Sequence, residues 1–221
     1  MLRLPASLRM IARNLARRPL KAALSVLGIA LAVGLMVVGR FGLDGAGHMM
    51  AVQFNQVQRD DVTVLYSGPR AAGATSEIAR LAGVAQVESF RAIPAWLRHE
   101  NRAKRIEVTG LSPVHELRRL LDKQLRPVEL PRHGLLLSAK LAEILAVSPG
   151  DVVTLEVLEG ARGVHQVPVA GVVDEMLGLG AYMDIRALSG LLREDNNSSG
   201  AYLRLHGDDA QRLYAELKRM P

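Results

Sequence analysis

Cysteine is absent from the 221 residues. No disulfide framework, thiolate metal site or cysteine nucleophile is therefore available. Aromatic residues make up only 4%, too few for the stacking platforms that hold single-stranded nucleic acid. The Gly-x-x-x-x-Gly-Lys-[Ser/Thr] loop that cradles phosphates is missing, so the chain does not hydrolyse ATP by that route. The histidines at 48, 99, 115, 133, 165 and 206 lack metal-ligand spacing. Asp60-Asp61 and Asp174-Glu175 are adjacent acids. Strand neighbours point to opposite faces, which argues against a shared catalytic pair. Ser138 stands before a helix, where capping explains it. Arg102, Lys104 and Arg105 read as a solvated strand face. No catalytic residue, metal or cofactor is expected, and the chain is not read as an enzyme.

Acids are also missing from the first 43 residues, and Asp44 is the first. The formal net charge is +6, from 28 bases and 22 acids. As a single number this would suggest nucleic acid or a membrane surface as partner. Its placement decides otherwise. Arg3, Arg9, Arg13, Arg17, Arg18 and Lys21 carry the whole excess, and residues 22–221 sum to zero. A neutral body behind a basic front end is expected to bind no nucleic acid.

Charge of either sign is then missing from residues 22–39, AALSVLGIALAVGLMVVG, where Ser25 is the single hydroxyl. At about 1.5 Å per residue the stretch spans roughly 27 Å, close to the thickness of a bilayer core. A cleaved signal peptide is the rival, but its apolar region is usually shorter and lies closer to the N-terminus. Ala46-Gly47-His48 is a poor processing site. An uncleaved transmembrane helix over 20–43 is expected, inserted in the lipid bilayer of the bacterial inner membrane. The basic flank places the N-terminus in the cytoplasm and residues 44–221 in the periplasm.

Ahead of the span, Leu4, Leu8, Ile11 and Leu15 recur at helical steps. Arg9, Arg13 and Arg17 fall on another face. Residues 1–19 are read as a basic amphipathic helix in the cytoplasmic interface, with Arg9, Arg13, Arg17 and Arg18 toward headgroups and a cytoplasmic partner. The alternative is a flank that only sets topology. Within the span, Gly28/Ala32 and Ala30/Gly34 are each four apart, a spacing that permits close helix packing in lipid. Gly28, Ala32 and Gly34 are the candidate packing positions.

Residues 44–60 read as a helical stalk and 61–221 as a mixed α+β domain. Strands are predicted at 62–66, 84–92, 95–99, 104–110, 135–137, 151–158, 164–173 and 200–206. Helices are predicted at 75–81, at 112–121 with Pro113 in its first turn, at 138–146, at 186–193 and at 208–219. Ser148-Pro149-Gly150-Asp151 is a tight turn, and Glu194–Gly200 an exposed loop.

Three stretches together resemble a known family. Ala12-Arg13-Asn14-Leu15-Ala16-Arg17-Arg18-Pro19-Leu20, running into Leu24-Ser25-Val26-Leu27-Gly28-Ile29-Ala30, is similar to the lead-in to the first membrane helix of MacB/FtsX-like ABC transporter permeases. Leu136-Leu137-Ser138, Leu141-Ala142, Leu145-Ala146-Val147 and Pro149-Gly150-Asp151-Val152-Val153 resemble part of that family's extracytoplasmic domain, with Ala146 where glycine is usual. Val167 through Gly178 with Ala181-Tyr182-Met183-Asp184 resemble a later part of it. Thr109-Gly110-Leu111-Ser112-Pro113 fits the step that precedes them.

The resemblance implies a periplasmic domain of the MacB periplasmic core type. It also implies a permease subunit that pairs with a second permease subunit and a cytoplasmic ABC ATPase. ATP-driven motion would pass through the first helix and stalk to the periplasmic domain, for export or lipoprotein release. A periplasmic adaptor or lipoprotein substrate is a further implied partner. Family permeases continue into three more membrane helices, so the chain looks like the N-terminal half of one. The alternative is a single-pass, membrane-anchored periplasmic binding or adaptor module without transport activity.

Overall fold

The computed structural model describes Met10, residues 17–71, 73–175 and 178–207, and Leu213, Tyr214, Glu216 and Lys218. The chain divides into two compact units, residues 1–51 and 52–221.

The first unit is dominated by one helix, α1, Pro19–Val52. Proline suits its first position, where the N–H would lack a helical partner. The helix is long and apolar enough to cross a membrane. Its apolar side chains are bare: Ile29 is 66% exposed and Val38 70%. Arg40 and Asp44 make an i,i+4 ion pair at 3.7 Å on its surface. The helical character expected after the span continues only to Val52, and Gln53–Val57 form a wider π-helical turn.

The second unit contains β1 Val62–Arg70, α2 Gly73–Ile78, β2 Val84–His99, β3 Arg102–Leu111, β4 Leu135–Ser138 and α3 Ala139–Leu145. These are followed by β5 Val152–Val157, β6 Val164–Val173, β7 Ala181–Asp184, α4 Ile185–Leu192 and β8 Ser198–Leu205. The expected α+β class is therefore what the chain adopts. The strands run β1-β8-β2-β3-β7-β4-β6-β5, and β5 pairs back onto β2. Strands β2, β3, β7, β4, β6 and β5 thus close a ring, from which β8 and β1 extend. Pairs β3–β7 and β4–β6 are parallel and the others antiparallel. Closure leaves the ring no free edge.

Alternation along the strands explains the core. In β5, Val153, Leu155 and Val157 point inward while Val152, Thr154 and Glu156 point out. They join Ile93, Leu97, Val108, Leu135, Leu137 and Met183 inside the ring. Leu141, Leu145 and Leu188 from α3 and α4 belong to the same cluster. Gly110 makes the α4 contact possible, because a Cβ there would meet Leu188 Cδ2 at 2.8 Å and the Ile185 backbone at 3.2 Å. Ser138 caps α3, its Oγ accepting from Leu141 N at 3.4 Å and also from Gly180 N at 3.1 Å.

The ladders correct two expectations. Strands 84–92 and 95–99 are one strand, because Pro94 falls where β2 changes partner. Residues 84–90 pair with β8 and 95–98 with β5. The missing proline N–H costs no ladder bond there, and Pro94 O still accepts from Leu158 N at 2.9 Å. The helix expected at 112–121 does not form; that stretch is an irregular strap with isolated bridges at Arg118 and Leu121. Its backbone groups are taken by distant partners instead of by each other. A strand not foreseen, β7, occupies Ala181–Asp184, and Asp184 caps α4 through bonds from Arg186 N and Ala187 N. Of the helix expected at 208–219, Leu213, Tyr214 and Glu216 are helical; 208–212, 215, 217 and 219 lie outside the described residues.

At the change of partner on β2 sits a polar seam. Arg91 is 2% exposed. Its guanidinium bonds Glu194 at 2.9 and 3.1 Å, Ser199 Oγ at 2.8 Å, and Glu159. Ser199 Oγ donates to Ala92 O and accepts from Ala92 N, replacing the ladder bonds missing between β8 and β5. Burial alone would lower the Arg91 pKa. The Glu194 hydrogen bond and the Glu159 charge outweigh it and hold the guanidinium firmly protonated.

Candidate functional site

The segment that leaves α1 and enters the sheet is residues 57–61, the root. It is tied on two sides by its backbone. Toward the strap, Arg59 N donates to Leu117 O at 2.8 Å and Arg119 N to Val57 O at 3.0 Å. Toward β8, Asp61 N donates to Leu203 O at 2.8 Å, and Asp61 Oδ2 accepts from Leu205 N at 2.8 Å. Arg204 also donates to Arg59 O at 3.1 Å. A segment held through backbone groups on both sides cannot shift without breaking several bonds together.

The strap is itself anchored in the sheet by Glu88 on β2. This buried carboxylate accepts from Glu116 N at 2.8 Å, Leu117 N at 3.0 Å and Gln86 Nε2 at 2.9 Å. These bonds satisfy strap N–H groups that a helix would have used internally. They also seat Leu117, fully buried, against Phe90, Leu120, Leu136 and Tyr202.

Arg118 links root, β8 and the end of β6. With the Gln58 amide turned so that its oxygen meets the guanidinium, the bonds are 2.6 and 3.0 Å. The same guanidinium lies 5.4 Å from the Tyr202 ring centroid, a cation–π contact. Tyr202 in turn stacks on Phe90 at 4.3 Å. Burial pushes the Tyr202 hydroxyl up to about 12, against the opposing Arg118 charge. Beyond it, Tyr182 donates to Glu175 Oε2 at 3.1 Å. Burial raises Glu175 to about 7, opposed by the Tyr182 bond and Arg118, and its Oε1 has no partner. Burial first, then the nearby Glu175 charge, raises Tyr182 as well. Among the described residues, no group of three or more His, Cys, Asp or Glu could hold a metal ion. These bonds join the root to β8 directly and to β2 through the strap.

The residues chosen from sequence lie elsewhere. Arg9 and Arg13 are outside the described residues. Arg17 and Arg18 are exposed just ahead of α1, and Arg18 O accepts from Ala22 N at 3.2 Å. Ala32 is exposed, and at Gly28 and Gly34 an added Cβ would meet nothing within 4 Å. Sequence reasoning missed Gln58, Glu88, Arg118, Glu175, Tyr182 and Tyr202. Two signals could have found part of the set. Glu88 is the lone acid among the apolar positions of its strand. Phe90, Tyr182 and Tyr202 are three of only eight aromatic residues, counting 1 Trp, 4 Tyr and 3 Phe.

Among curated proteins, no sequence shows significant similarity to this chain. The solved structures similar to this chain include two transporter domains. The extracellular domain of the noncanonic ABC-type transporter YknZ from Gram-positive bacteria is 17% identical, covers 67% of this chain and 80% of its own, and has a TM-score of 0.45. The periplasmic region of MacB from Actinobacillus actinomycetemcomitans is 10% identical, covers 77% and 88%, and has a TM-score of 0.47. The profile of the MacB-like periplasmic core domain matches residues 22–220. That match takes in both the apolar helix and the body with the root and strap, and the chain belongs to the MacB-like periplasmic core domain family.

Proposed function

We propose that this chain is the membrane-anchored part of a MacB/FtsX-type permease subunit that carries motion from the membrane to an outer domain. Residues 1–19 are its cytoplasmic basic helix, 20–43 its span, 44–60 its stalk and 61–221 its periplasmic domain. The N-terminus is cytoplasmic, in the bacterial inner membrane, as the basic flank favours. A separate cytoplasmic ABC ATPase drives the motion. Arg9, Arg13, Arg17 and Arg18 face headgroups near it, and Gly28, Ala32 and Gly34 pack against a helix of a second permease subunit. Export or lipoprotein release, with a periplasmic adaptor or lipoprotein as partner, is the work done outside.

One observation carries this reading: the root is bonded to both the strap and β8, and the strap is bonded to β2 through Glu88. Movement of the root must therefore strain the sheet or the strap. The double variant Gln58→Ala/Arg118→Ala removes the side-chain tie and leaves the backbone bonds. Reconstituted with the ATPase, it is expected to lose coupling between ATP turnover and transport by roughly tenfold, within the usual range of coupling energies. ATP turnover itself should persist. Full coupling in a folded double variant would overturn the role of the root.

A further inference from the structure

A cleft of about 280 Å³ opens between the β5–β6 turn and the end of α4. Its size is near the lower bound for small-ligand sites, about 300 Å³. Val164, Leu191 and Leu192 supply apolar wall; Arg162 and Arg193 stand on its two lips. Glu159 and Glu194 also line it, and both bond buried Arg91, whose single positive charge offsets one of the two carboxylates. The two lip guanidinia have no ion-pair or hydrogen-bond partner among the described residues. Three guanidinia, those of Arg91, Arg162 and Arg193, against two carboxylates leave the cleft a net charge of +1.

The two lip residues also share a backbone conformation. Arg162 has φ 50° and Arg193 φ 56°, both left-handed. Glycine is at ease there and a residue with a Cβ is strained. Arg193 is moreover the C-cap of α4, the place where glycine commonly ends a helix. Gly160 and Gly163 lie in the same turn as Arg162. Of the six described non-glycine residues with positive φ, Arg162 and Arg193 are the two that line this cleft.

We infer that this cleft binds an acidic, aliphatic peptide segment of a partner protein. A glutamate- or aspartate-sized carboxylate would meet Arg162 and Arg193, and a neighbouring aliphatic side chain would lie against Val164, Leu191 and Leu192. Arginine suits a carboxylate through its planar pair of donors. The site is separate from the root, and the inference does not rest on the coupling reading.

The test titrates the full chain in nanodiscs with a fluorescent, capped tetrapeptide of alternating leucine and glutamate, read by anisotropy. The glutamine version of the peptide, and the variant Arg162→Gly/Arg193→Gly, are each expected to weaken binding by roughly tenfold or more. Glycine at both positions relieves the backbone, so the variant should melt no lower than the parent, and lost binding cannot be blamed on unfolding. Equal affinity for the glutamine peptide, unchanged binding to the glycine variant, or no binding by the parent would each overturn the inference. Equally strong displacement of the peptide by inorganic phosphate would also overturn it, because the site would then recognise phosphate and not a carboxylate beside an aliphatic chain.

Discussion

Helix α1 and the outer unit use the same residue types in opposite ways. In α1, Leu24, Ile29, Leu31 and Val37 are each 60% exposed or more. In the outer unit, Ile93, Leu97, Leu135 and Leu155 are wholly buried. Apolar side chains in water favour burial by about 1.5–3 kcal/mol each. A helix that leaves so many outside is stable in an apolar surrounding, where that penalty vanishes. The outer unit must satisfy water instead, so it hides its apolar groups and pairs the polar ones it buries. The difference teaches that α1 is specified by composition, whereas the outer unit is specified by who pairs with whom. Substitutions can separate the two kinds of specification.

The largest effect is expected at Arg91. Truncating one member of a buried ion pair leaves the other charges uncompensated, at a cost of about 3–5 kcal/mol. Arg91→Ala strands Glu159, Glu194 and Ser199 where β2 changes partner. Thermal denaturation of the detergent-solubilised chain should show the outer unit unfolding much earlier. Membrane association of α1 should be unaffected. A melting point close to that of the parent would mean the seam contributes little and the ring alone holds the outer unit.

Leu31→Arg is the mirror experiment. An arginine near the centre of a spanning helix costs about 2.5–3.5 kcal/mol of insertion. The expected result is a shift of the chain from the alkali-resistant membrane fraction, with the outer unit's melting unchanged. Retention in the membrane would weaken the assignment of α1 as a span.

Glu175→Gln gives a smaller effect that depends on pH. The folded protein holds Glu175 near 7, against 4.5 for a free carboxyl. A raised pKa means the fold favours the protonated form. The associated stability is complete below about pH 4.5 and is lost as pH rises through 7. The parent should therefore lose stability between pH 5 and pH 8 relative to the glutamine variant. With the side chain partly open to solvent, the difference at pH 8 should be roughly 1–2 kcal/mol in favour of the variant. Denaturant titrations of both proteins at the two pH values measure it, and a difference independent of pH would contradict the buried state of this carboxyl.

Legibility in the sequence follows the same division. Helix α1 could be read directly because length and lack of charge are properties of the stretch itself. Strands β5 and β6 were legible from alternation and the Gly-rich turn between them, both of which are local. The strap was misread because Ser112-Pro113 and the leucines after it carry a local helix signal. The competing bonds come from Glu88, Val57 and Arg59, far away in sequence, and from Val128 beyond the strap. Strand β7 was passed over because four residues, paired in parallel with β3, give too short a pattern to detect. The root cluster has no local signature either: Gln58, Arg118, Glu175 and Tyr202 meet only after the sheet has formed. Local pattern thus revealed elements, while the groups that join elements depended on register.

The smallest expected effect is at Ala146, where a local rule does reach into the outer unit. This residue is the C-cap of α3, with φ 52° and ψ 53°, and its N–H bonds the Ala142 and Glu143 carbonyls. The left-handed conformation places a Cβ against the following carbonyl, a strain glycine lacks. Glycine would adopt this geometry without that strain. Glycine also makes the unfolded chain more flexible, which offsets part of the gain. The net effect of Ala146→Gly should be stabilisation of about 0.5–1 kcal/mol, seen as a higher denaturant midpoint with unchanged slope. A lower midpoint would mean that the alanine methyl makes packing contacts worth more than the strain, so that even this helix end is fixed by its tertiary neighbours.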